Sequence, residues 1–163
     1  MKKILCLGLL VCILMPFNAA GSDKAVFLNA FGETATAYLN DSFLLLGTIA
    51  DSYVADIITK ENALEFAKNV QKRVRVIRGK IKAVSATRIA EVDKKVLVML
   101  DNGYGCLDHL AWALVQFVED KNPDTRKRFA DQRTECLERF KVIAEFYASL
   151  PPSPEVAEPL STR

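Results

Sequence analysis

Histidine and tryptophan occur once each in this chain, at His109 and Trp112, glycine only seven times and proline six. A single histidine excludes zinc sites built on paired His ligands, the His-Glu-x-x-His helix and bis-His haem ligation. Scarce glycine and proline argue against a turn-rich all-β fold. Excess charge of either sign is also missing, since 22 Lys and Arg stand against 20 Asp and Glu. A near-neutral chain lacks the cationic surplus needed for general attraction to nucleic acid or anionic lipid, so no nucleic-acid partner is expected. The sequence has no nucleophile elbow, phosphate-cradling glycine loop or Cys-x-x-Cys pair. No enzymatic activity and no cofactor are therefore expected.

Only one long apolar run is present. Lys2 and Lys3 precede Ile4 to Phe17, followed by Ala19-Ala20-Gly21. This is the pattern of a secretory signal peptide over residues 1–21, with cleavage after Ala20 or Gly21. The run is shorter than the ~20 apolar residues of a membrane-spanning helix, so no transmembrane anchor is expected. The reading places the protein outside the cytoplasm, in a periplasm or secreted. Loss of Lys2 and Lys3 would leave 20 basic residues against 20 acidic ones.

Leu, Ala, Val, Glu, Lys and Arg dominate the body, a composition that favours helix. One domain over 22–150 is expected, followed by a tail, 151–163, whose Pro151, Pro152, Pro154 and Pro159 cannot maintain a helix. Ala63, Ala67, Val70, Val74, Ile77, Ile81 and Val84 recur at alternating spacings of four and three, a coiled-coil-like stripe too long for a strand. A second stripe runs through Ile89, Val92, Val96, Met99, Gly103, Cys106, Leu110, Ala113 and Phe117. The phase slips at Ser85-Ala86-Thr87, which marks a turn.

A fourth helix starts at Asn122-Pro123, with Asn as cap and Pro at the first helical position, and carries Phe129, Arg133, Cys136, Phe140, Ile143, Tyr147 and Leu150. The first helix, about 24–58, spreads its apolar residues more widely, which predicts burial around more of its circumference. The architecture expected is an all-α, up-down-up-down four-helix bundle. Asp101-Asn102-Gly103-Tyr104-Gly105 is a turn sequence inside the third helix, so a kink or break is expected there.

Cys6 and Cys12 belong to the signal segment, leaving Cys106 and Cys136. These two are equidistant from residue 121, and both fall on apolar stripes. In an antiparallel hairpin that places them at one height and on facing surfaces, so a disulfide is expected, contributing ~2–4 kcal/mol. The same geometry makes Cys106, His109 and Cys136 the candidate ligands of an alternative metal or haem carrier. Tyr104, Trp112, Phe117, Phe129, Phe140 and Phe146 could instead line an apolar ligand cavity.

Charge is segregated along the chain. Residues 23–59 carry a net of −4 and residues 60–86 a net of +6, which predicts that the first and second helices neutralise one another. Lys68, Lys72, Arg75 and Lys82 share one helical face, the candidate anion-binding surface should that neutralisation fail. The functional expectation is a non-catalytic binding, scaffolding or interaction role with a protein partner.

Overall fold

A computed structural model describes residues 21–86 and 91–149, leaving out the side chains of residues 21–30 and of Val92. The expected signal segment apart from Gly21, the tail 151–163 and Thr87 lie outside the described residues. Four helices account for most of what is described: α1 (Gly21–Val54), α2 (Lys60–Ser85), α3 (Glu91–Asp120) and α4 (Pro123–Ser149). Among the described residues there is no strand.

The helix ends follow local chemistry. Thr59 caps α2, its hydroxyl accepting from the Asn62 amide at 3.2 Å. Asn122 caps α4 as its type predicts, its Oδ1 accepting from the Thr125 amide at 2.9 Å. α1 ends four residues before the expected boundary at 58. Asp56 adopts φ 55°, and the Ile57 amide turns back to the Ser52 carbonyl at 2.9 Å, which closes the helix in a left-handed cap. Lys121 ends α3 the same way, with φ 47°.

Long-range hydrogen bonds give the helix directions. Tyr53, near the end of α1, donates to the Val118 carbonyl near the end of α3 at 3.3 Å. Lys60, at the start of α2, donates to the Glu119 carbonyl at 2.8 Å. Phe43 meets Phe140, ring centroids 5.5 Å apart, while an added Cβ on Gly32 would strike Tyr147 near the far end of α4. α1 and α3 therefore run one way and α2 and α4 the other, the expected bundle.

Helix α3 is the centre. It packs against the other three, as does α1, whereas α2 and α4 share no contact among the described residues. Broad burial therefore belongs to α3 and not, as the sequence pattern suggests, to α1. Beyond its expected stripe, α3 buries Leu97, Leu100, Tyr104, Leu107, Leu114 and Val118. Each fully buried Leu or Val contributes ~1.5–3 kcal/mol before entropy is charged. Among its described side chains, α1 instead has a one-sided stripe of Ala35, Leu39, Leu46, Ile49 and Tyr53 and leaves Leu45 exposed, as is Ile57 just beyond its end.

The turn-like residues 101–105 do not end α3, which is helical from Glu91 to Asp120. Each residue of the motif except Asn102 has a packing reason to be what it is. Asp101 accepts from Arg78 Nε at 2.8 Å. A Cβ on Gly103 would lie 2.9 Å from Ile143 Cδ1 and 3.2 Å from Leu39 Cδ1, so its lack of a side chain lets α1 and α4 close in. Tyr104 donates to the Ala35 carbonyl at 3.0 Å. Gly105 leaves room for the Arg78 guanidinium, 3.2 Å from where a Cβ would stand. Close approach gives both glycines a packing reason.

Candidate functional site

Cys106 on α3 and Cys136 on α4 form a disulfide, Cα atoms 5.5 Å apart, with both residues buried. Gln132 covers the bridge, its amide donating toward Cys106 Sγ at 3.4 Å and to Glu135 at 3.2 Å. While the bond stands, neither sulfur is a thiolate ligand. His109, the third member of the expected metal set, is exposed, and among the described residues no group of three His, Cys, Asp or Glu converges on a metal position. Arg133 is turned toward α1, its guanidinium over the Phe43 ring.

The aromatic residues that could have lined a cavity pack on one another. Phe117 lies 6.0 Å from Tyr53 and 6.5 Å from Phe129 by ring centroids, and Tyr104 lies 6.4 Å from Tyr38. Burial pushes the Tyr104 phenol far above its usual range, reinforced by Tyr38 and Tyr147 beside it. Trp112 stands apart, 45% exposed on the outer face of α3.

The basic face of α2 is compensated by α3, not by α1. Lys68 pairs with Glu119 at 3.5 Å, Arg75 with Asp108 at 2.8 Å and Arg78 with Asp101 at 2.8 Å, and Gln71 donates to Asp108 at 2.9 Å. The expected neutralisation of α2 by the acidic α1 is thus corrected. α3 is the tighter neighbour, and it places its carboxylates along the α2 seam. Of the four residues of the candidate anion face, Lys68 and Arg75 are committed to α3, while Lys72 and Lys82 have no ion pair among the described residues. Most of these pairs are solvent-facing and each contributes at most about 1 kcal/mol.

The α1–α4 seam is different. Arg133 is half-buried there, its guanidinium 5.6 Å from the Phe43 ring centroid, and a Cβ on Gly47 would lie 2.7 Å from its Nη2. No carboxylate among the described residues lies within ion-pair distance of it. Two turns earlier on the same face of α4, Arg126 has no ion pair among the described residues and shares a shallow depression with Val54, Phe117, Lys127, Ala130 and the Lys121-Asn122-Pro123 turn. Leu44 on α1 and Leu137 on α4 stand exposed by 60% and 44% at helical spacing from Gly47 and Arg133. Periodicity put Arg133 on a core stripe without giving it a role. The usable signal was a permanently charged side chain among Phe129, Cys136 and Phe140.

No protein family, curated protein or solved structure matches the chain. Among the described residues, no helix is long and apolar enough to cross a membrane.

Proposed function

We propose that this protein is exported and acts as a non-catalytic binding or scaffolding bundle, through its surface rather than through an interior site. Export rests on the Lys2-Lys3 and Ile4–Phe17 pattern, and on a cysteine pair suited to an oxidising compartment. The observation that carries the binding reading is the use made of the interior. Its two cysteines are joined to each other, and its large aromatics fill the space between helices. Exposed Leu44, Val76, Trp112 and Leu137 meanwhile offer apolar area outside.

Purification of the full chain from a host that exports it tests this reading. Amino-terminal sequencing should begin near Gly21 or Ser22, and the protein should show neither a Soret band nor stoichiometric metal. A start at Met1, or near-stoichiometric haem, zinc or copper, would overturn it.

A further inference from the structure

We propose that the α1–α4 seam is a docking groove for an acidic amphipathic helix of a partner protein, with Arg126 and Arg133 as its paired carboxylate receptors. The inference rests on the binding reading above and names the surface and the partner's chemistry.

Arg133 supplies the first reason. A guanidinium has five N–H donors in a rigid plane and cannot shed its charge, and in a half-buried one without a carboxylate those donors stay open to a partner at the surface. Here the guanidinium lies over the Phe43 ring, and Gly47 provides the space that a side chain would close. An oriented guanidinium with no carboxylate of its own gains most from a partner's, because two parallel hydrogen bonds form with little further ordering.

The second reason is spacing. Arg126 and Arg133 are seven residues apart, two helical turns or ~10.5 Å, with the small Ala130 between them. An antiparallel or parallel helix presenting acids at i and i+7 matches that repeat. Leu44, Val54 and Leu137 along the same seam supply apolar contacts for the residues between those acids. The carboxylate on the α1 side is Asp51, exposed and one turn beyond Gly47, while Asp56 at the groove's end is paired with Lys121 at 3.8 Å. Two arginines against one unpaired acid leave the groove cationic. A polyanion such as heparin would use the charge but not the leucines, and a fatty acid would use only one arginine.

The test is an NMR titration of the oxidised full chain with a synthetic helical peptide. The peptide carries Leu at positions i, i+3 and i+4 of each repeat and Glu at heptad spacing. The same peptide with Gln in place of Glu is the control. Shifts should cluster on α1 and α4 around Gly47, Ala130 and Leu137, and the Glu peptide should bind at least tenfold more tightly than the Gln peptide. Arg133→Gln and Arg126→Gln should each weaken binding about tenfold. Arg126 is exposed, so its variant reports on recognition even if Arg133→Gln perturbs folding. Equal affinity for the two peptides, or affinity unchanged in both variants, overturns the groove. That failure leaves the binding reading standing, because the latter is decided separately by the spectrum and metal content of the exported protein.

Discussion

Removing the Cys106–Cys136 bridge should lower stability by about 3–4 kcal/mol without changing the fold. The two cysteines are 30 residues apart. The loop-entropy relation gives about 3.6 kcal/mol at 25 °C for a loop of that size. Replacing both with Ala adds a smaller packing loss, since both sit in the α3–α4 interface. For a domain of this size that corresponds to a fall in Tm of roughly 10–15 °C. Far-UV circular dichroism at 20 °C should be unchanged, because the apolar stripes and caps determine the helices. The cross-link acts on the unfolded chain, so the double variant should also show a larger urea m-value than the oxidised protein, its unfolded state being less compact. Urea titration of oxidised wild type, reduced wild type and Cys106→Ala/Cys136→Ala provides the comparison. A Tm within about 3 °C of wild type, with the same m-value, would refute the reasoning.

Gly79 and Gly103 should respond in opposite directions to alanine. Nothing lies within 4 Å of a Cβ added at Gly79, so Gly79→Ala should stabilise α2 by up to about 1 kcal/mol of helix propensity. Gly103→Ala gains the same propensity but presses on Ile143 and Leu39, and overpacking of ~1–3 kcal/mol should make it the less stable of the two by thermal melting. Alkaline stability should depend on Tyr104. Its phenol pKa is raised in the folded protein, so the unfolded state releases the proton first. The stabilisation is complete below the ordinary tyrosine pKa of about 10 and is lost as pH rises beyond it. Tyr104→Phe should cost about 1 kcal/mol at pH 7 through the lost bond to Ala35, and should flatten the decline above pH 10 in denaturant titrations. An unchanged slope would show that this phenol does not carry the alkaline linkage.

Much of the bundle was legible because its outer helices follow simple periodicity. The α2 stripe is buried from Ala63 to Val74 and again at Ile81, while Val84 at its end is exposed. Asn122-Pro123 opened α4 where capping chemistry places it. The cysteine pair was legible from mirror symmetry about the turn. The role of α3 was not, because a heptad count finds one stripe and stops. A helix contacting three neighbours buries a second row, here Leu97, Leu100, Leu107 and Leu114. The packing role of the 101–105 motif was hidden for a related reason. Glycine is read locally as a turn former, and its use for close approach depends on Leu39, Ile143 and Arg78, residues distant in sequence. The charge blocks were legible as blocks, but which helix compensates which is a property of packing. Arg133 marks the candidate groove, and its significance depends on where its guanidinium points, which no spacing rule supplies.

Photo-crosslinking in the exporting host tests most directly whether the surface is the working part. A benzophenone amino acid placed singly at Leu44, Val76, Trp112 or Leu137 samples one exposed apolar position on each helix. The account predicts an adduct of one discrete mass from Leu44 and Leu137, on either side of the α1–α4 seam, and none from Val76 or Trp112. Failure of all four positions to yield a discrete adduct would contradict it.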